Sequence, residues 1–201
     1  TPSRRDELLR RLQPTVDLDE VAQCQVVVEA VPEDVHLKES VLRNLDGVCP
    51  HDTVLASNTS AISITRLAAA TGRPERVVGT HFFNPVPAMR LVEIVRGLRT
   101  SDATVETAIE LARRLDKEPV VVDDAPGFVS NRLLMPMINE AVFALMEGVA
   151  SREDIDRVMR LGMNHPMGPL ELADLIGLDV CLDIMRALHQ QFGDDKYRPC
   201  P

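Results

Sequence analysis

The sequence predicts an α/β protein in which a doubly wound parallel sheet is followed by an all-helical region. Three observations carry that prediction. Residues 25–31 (QVVVEAV) form a nearly continuous β-branched run, the mark of a strand covered on both faces. Strand-like and helix-like stretches then alternate, so that three strand–helix units follow one another. Beyond the DDAPG break at 123–127 every apolar pattern is helical. With 201 residues, 45% of them apolar, the chain can bury a sizeable core. The break divides it into a sheet domain, 1–124, and a helical domain, 125–201.

Each element has its own local reason. Residues 1–14 read as a short helix with Ser3 as cap and Leu8, Leu9 and Leu12 at helical spacing. After the 25–31 strand, Pro32, Glu33 and Asp34 open a helix whose Leu37, Val41, Leu42 and Leu45 share a face. Residues 53–57 are the next strand, Asn58-Thr59-Ser60 its exit loop, and 62–70 a helix closed by Gly72. Residues 77–80 form a strand with His81 at its tip. Two prolines at 85 and 87 cannot continue a ladder, and 91–95 is a second strand with Glu93 as the one charge inside it. An amphipathic helix at 101–115 and a strand at 118–122 complete the sheet domain. Residues 128–147 then make a long helix, apolar over most of its surface and kinked at Pro136. Ser151 and Asp154 form a capping box for a helix to about Leu161, and 170–176 and 180–192 supply two more. The residues left after the break are too few to cover the long helix, so a second copy of the chain is expected on it, making a homodimer through these helices.

Composition excludes several classes. Formal charge is −9, from 22 basic and 31 acidic residues, with no Trp and one Tyr, which argues against nucleic acid as partner. The longest apolar stretches are broken well short of a bilayer span, and residues 1–20 lack a signal-peptide core, so no membrane is expected. Cysteines at 24, 49, 181 and 200 form no C-x-x-C pair and no Cys/His cluster. Neither zinc nor a disulfide scaffold is indicated, and reduced thiols in the cytoplasm are expected.

Ligands of parallel sheets sit beyond the carboxyl ends of the strands. Here those ends are 30–33, 57–60 and 81–84, all rich in polar groups. A carboxylate on a neighbouring strand can hold an imidazole in one tautomer and stabilise its protonated form, so His81 with Glu93 reads as a general base and its partner. On the residues alone the plainer alternative is a surface histidine beside an edge-strand acid. Plain alternatives exist for other polar residues too. Ser60 suits a helix cap, Asn131 a cap or a bond within the long helix, Lys38 a solvated helix face, Glu33 a first-turn acid, Asn84 a turn before Pro85, and Asp123–Asp124 a solvated turn.

Five motifs in order resemble the 3-hydroxyacyl-CoA dehydrogenase family, and within it the bacterial 3-hydroxybutyryl-CoA members. They are EAVPE at 29–33 with Lys38, ASNTS at 56–60, HFFNPVPAMRLVEIV at 81–95, PGFVSNR at 126–132 and HPMGPLELADLIGLD at 165–179. The resemblance implies a Rossmann-type first domain and NAD-dependent interconversion of a 3-hydroxyacyl-CoA and a 3-oxoacyl-CoA. It implies His81 as base, Glu93 as its partner, and Ser60 and Asn131 on the reacting oxygen or acyl region. It places Glu33, Lys38, Ser60 and Asn84 near the cofactor and implies an acyl-CoA partner. One expected feature is missing: the ten glycines nowhere form the G-x-G-x-x-G turn that holds a dinucleotide pyrophosphate. The chain therefore reads as truncated at both ends, with an exposed sheet edge, and as a weak binder of NAD by itself. Two rival functions remain: a non-catalytic dimerisation module, and a hydroxy-acid dehydrogenase of the gulonate or λ-crystallin type.

Overall fold

The structure is a computed structural model that describes residues 2–201, with side chains from residue 4 onward; its first helix is α1 (Pro2–Leu9), and the side chain of Ser3, expected as the cap, lies outside what is described. The sheet has strands β1 (Val26–Glu29), β2 (Val54–Ser57), β3 (Val77–Phe82), β4 (Leu91–Arg96) and β5 (Glu118–Asp123), adjacent in that order. β1, β2 and β3 are parallel, β4 runs antiparallel to β3, and β5 is parallel to β4. The reversal follows from the connection: a parallel return needs a crossover of about a dozen residues or more, and 83–90 is too short. β1 stands at one edge with Val28 exposed.

Helices α2 (Val35–Val48), α3 (Ile64–Ala68) and α4 (Asp102–Arg114) are the crossovers. The period of two along the strands sends alternate side chains to opposite faces. Leu55, Val77 and Val95 pack with Leu42 and Leu45 of α2 and Ile64 and Leu67 of α3. Val54, Ala56, Val78, Val92 and Ile94 pack with Val105, Ala108, Ile109 and Ala112 of α4. Helices on both faces give the doubly wound class that the sequence predicts. Gly79 is what lets α3 approach: a Cβ there would lie 2.7 Å from Val95 and 2.9 Å from Ile64.

Two local expectations are corrected. On α2 the buried positions are Lys38, Leu42 and Leu45, while Leu37 is exposed. Leu42 and Leu45 of the expected stripe are buried and Val41 packs against the same cluster, so the correction is confined to the first turn, where Lys38 takes the inward place expected of Leu37. Asp123–Asp124 is not simply a solvated turn, since Asp124 accepts from Ser63 Oγ (2.7 Å) and from the N–H groups of Ile64 (3.1 Å) and Thr65 (2.8 Å). The first turn of α3 is capped by its own Ser63 and by an acid that follows β5.

The helical part comprises α5 (Ser130–Met146), α6 (Arg152–Gly162), α7 (Pro169–Ile176) and α8 (Leu178–Phe192). Met135 and Ile138 of α5 meet Ala173 of α7 and Cys181, Met185 and Leu188 of α8 in one cluster. α5 begins later than the sequence suggests. Gly127 (φ 73°) and Phe128 (φ 49°) turn the chain, and the Phe128 side chain goes into the sheet core. The residue before α7, Gly168, offers no side-chain cap, and buried Asp156 of α6 accepts from Leu170 N–H (2.8 Å) and Glu171 N–H (3.0 Å) instead.

The Asp124 contacts predict that Asp124→Ala lowers unfolding free energy by about 1–3 kcal/mol. Urea denaturation checks this, and an unchanged midpoint would remove Asp124 from its capping role.

Candidate active site

His81 and Glu93 are paired residues of the antiparallel β3–β4 ladder. A cross-strand pair in register holds two side chains side by side on one face. His81 Nδ1 lies 2.8 Å from Glu93 Oε2, and both residues are buried, at 6% and 2% exposure. The rings of Phe83 and Phe128 stand 4.6 Å and 5.9 Å from the imidazole. Glu93 has further donors from the start of α5. Its Oε1 accepts from the N–H groups of Val129 (3.2 Å) and Ser130 (2.9 Å), and its Oε2 from Ser130 Oγ (2.8 Å).

These contacts decide the charge of Glu93. Burial by itself would raise the carboxyl's pKa. The hydrogen bonds from His81 and Ser130 outweigh burial and hold it below the ordinary glutamate value. An ionised Glu93 accepts from Nδ1–H and so assigns the other ring nitrogen, Nε2, the lone pair. Nε2 has no hydrogen-bond partner among the described residues, and it is not sealed away either: the one fully buried side-chain polar atom without a partner among them is Thr80 Oγ1. The arrangement leaves the second nitrogen free and ties the first to a fixed anion, which is the geometry that general-base chemistry requires.

The neighbouring loops are tied by two more carboxylates. Glu29, at the end of β1, accepts from Lys38 Nζ (2.8 Å), Val31 N–H (2.6 Å) and Ser57 Oγ (2.5 Å). Lys38 is fully buried and also donates to Val31 O (3.0 Å), with Glu33 Oε2 at 3.5 Å. The solvated-face reading of Lys38 is thereby corrected. Glu33 Oε1 accepts from Thr59 Oγ1, Ser60 N–H (2.9 Å) and Ala61 N–H (3.1 Å). Asn58 Oδ1 accepts from Phe82 N–H (3.0 Å), a side chain standing in for the strand where β2 has ended.

The structure therefore joins His81 to Glu93, Glu33 to Lys38 and Ser60, and Ser60 to Asn131, whose Nδ2 donates to Ser60 O at 3.0 Å. Ser60 does not cap α3, a role Ser63 fills, and among the described residues its hydroxyl has no partner. Asn131 is neither a cap nor bonded within its helix; it is a buried tie from α5 to the loop after β2. Asn84 lies on the same crest, exposed and without a hydrogen bond to the others, and a cis peptide joins it to Pro85.

The model of the 3-hydroxyacyl-CoA dehydrogenase NAD binding domain matches residues 1–125, and that of the family's C-terminal domain matches 127–201. The chain belongs to the 3-hydroxyacyl-CoA dehydrogenase family. It is 51% identical over 201 residues to 3-hydroxybutyryl-CoA dehydrogenase of Bradyrhizobium diazoefficiens, covering 100% of this chain and 69% of that protein. It is 51% identical over 195 residues to the 3-hydroxybutyryl-CoA dehydrogenase of Clostridioides difficile, covering 97% and 69%. The crystal structure of (S)-3-hydroxybutyryl-CoA dehydrogenase from Ralstonia eutropha superposes with a TM-score of 0.96 at 49% identity, over 99% of this chain and 70% of that one. Members of this family are NAD-dependent oxidoreductases, and the chain is one of them.

Sequence reasoning missed Glu29, Ser57 and Ser130 as parts of this dehydrogenase's site. For Glu29 a signal existed, since an acid inside a β-branched run demands a buried partner, and Lys38 follows on the next helix. Ser130 stood only inside the PGFVSNR motif, with nothing to name its partner 37 residues away in sequence.

Two outcomes follow from these contacts. Removing one member of a buried ion pair costs about 3–5 kcal/mol. Lys38→Met should lose that much in urea unfolding, and a loss near zero would contradict the pairing. Glu93, whose pKa the fold lowers, adds stability above the ordinary glutamate value of 4.5 that is lost as pH falls through its depressed folded value. Melting temperature should therefore fall more from neutral pH to well below 4.5 in the wild type than in Glu93→Gln. Equal falls would count against a charged, stabilised Glu93.

Proposed function

We propose that the chain serves the interconversion of 3-hydroxybutyryl-CoA and its 3-oxoacyl-CoA, a short-chain case of the family reaction, with His81 as general base. The observation that carries this is the His81–Glu93 pair, with Nδ1 tied to an anion and Nε2 left free. NAD supplies the hydride acceptor in this chemistry. His81 takes the proton of the C3 hydroxyl at Nε2 during oxidation and returns it during reduction, and Glu93 stabilises the imidazolium between those events. Ser60 Oγ, and the carbonyl oxygen and second amide hydrogen of Asn131, are available to the reacting oxygen or the acyl region. The HFFNPVP sequence favours an acyl-CoA over the free acids of the gulonate type, and the paired His81 and Glu93 speak against a purely structural module.

The residues fit a cofactor at one end. Glu33, with its side chain 41% exposed, Ser60 and exposed Asn84 line the crest beyond β1, β2 and β3, while Lys38 lies behind them and fixes Glu33. These are the residues we assign to the nicotinamide side. No glycine-rich turn in the 201 residues offers a pyrophosphate cradle. Exposed Leu133, Leu145 and Met146 on α5 favour a second copy of the chain against the helical part, and four free cysteines suit a reducing cytoplasm.

The assay is oxidation of NADH with acetoacetyl-CoA, run on this chain and on the chain joined to a glycine-rich dinucleotide-binding half. Loss of a positioned acid–base group costs about 10²- to 10⁴-fold, and His81→Ala should lower kcat/KM by that much. Activity that survives the substitution would remove His81 from its role. A fluorescence titration should show weak NADH binding by the chain alone, and micromolar affinity would refute the need for the glycine turn.

A further inference from the structure

We propose that Ser130 is a positioning residue of the His81–Glu93 pair, the third group of a relay that runs from β3 through β4 into the first turn of α5. The inference rests on the reading of His81 as base and Glu93 as its partner. Its observations are independent of that reading. Ser130 Oγ donates to Oε2 of Glu93 at 2.8 Å, and His81 Nδ1 lies 2.8 Å from the same oxygen. Oε1 faces two backbone donors, Ser130 N–H at 2.9 Å and Val129 N–H at 3.2 Å. Backbone donors alone would hold Oε1 and leave the carboxylate free to rock about it. The hydroxyl closes the fork: one residue grips both oxygens, which fixes the plane of the carboxylate and the lone pair that meets Nδ1–H.

The hydroxyl is free for this work because the helix does not use it. A serine in a first helical turn ordinarily turns its oxygen to an amide of its own helix, but α5 has no side-chain cap bond. The environment leaves the effect undiluted. His81 and Glu93 are the titratable groups of the cluster, the other hydrogen-bond donors to Glu93 are neutral, and the surfaces beside the imidazole are the rings of Phe83 and Phe128. Because Ser130 belongs to the helical part, the carboxylate is oriented only once α5 has docked on the sheet. The base is thus completed by the second domain rather than by the strands that bear it.

The test is carboxyl-carbon NMR on this chain with labelled glutamate, the Glu93 resonance being identified by its loss in Glu93→Gln. The pH midpoint of that resonance is followed in the wild type, Ser130→Ala, Ser130→Thr and His81→Ala. Removing a donor from a carboxylate favours its protonated form, so Ser130→Ala should shift the midpoint upward. Ser130→Thr, which keeps the hydroxyl, should keep the wild-type midpoint. A wild-type midpoint in Ser130→Ala overturns the proposal. Should alanine disturb the helix start, as circular dichroism would reveal, Ser130→Val decides. Valine matches threonine in volume and lacks the hydroxyl, so equal midpoints in Val and Thr overturn the proposal and a higher one in Val supports it. His81→Ala separates this from the underlying reading. If it leaves the Glu93 midpoint unmoved, the histidine–glutamate pair itself fails, whatever Ser130 does.

Discussion

A carboxylate shut away from water keeps its charge only where donors converge on it, and Glu93 has four, from β3 and from the backbone and side chain that begin α5. That requirement organises much of the molecule. One donor comes from the antiparallel register of β3 and β4, set by their short connection, which brings the imidazole to the acid at hydrogen-bond distance. The remaining three come from Val129 and Ser130, so the same carboxylate ties the helical part to the sheet. Packing of Phe128 into the sheet core serves the same docking.

The same solution recurs around the site. Glu29 draws Lys38, Ser57 and the backbone of Val31 together at the ends of β1 and β2, and Glu33 draws in the loop that carries Ser60. Loops beyond a parallel sheet have few ladder bonds to hold them, so side-chain acids take the place of strand neighbours. Asn58, bonded to Phe82 N–H, does so with an amide. Three acids thus act as scaffolding, and they leave Nε2 of His81 and the hydroxyl of Ser60 without partners among the described residues.

Much of this could be read from residues. The β-branched runs at 25–31 and 77–80 and the largely apolar stretch at 53–57 announced strands because burial on both faces leaves little room for polar alternation. His81 and Glu93 announced themselves as polar residues in otherwise apolar strands. Lys38 did not, since Leu37 beside it reads as the inward residue of that turn and a lysine reads by default as solvated. Asp124 looked like turn chemistry because turns and caps use the same residue types. Ser130 and Asn131 were visible as part of a motif, but their partners, Glu93 and the carbonyl of Ser60, lie far off in sequence and are known only from the fold.

The contact between Asp124 and α3 has a consequence for how parts of the chain come and go. α3 has five residues, far below the length at which a helix persists unaided. One of its two caps arrives 61 residues later, at the end of the last strand. Opening of β5 therefore exposes the amides of Ile64 and Thr65 as well, and the loop carrying Ser60 loses the anchor that follows it. In hydrogen exchange these distant segments would behave as one cooperative unit, so the edge of the sheet and the floor of the site share a single local stability.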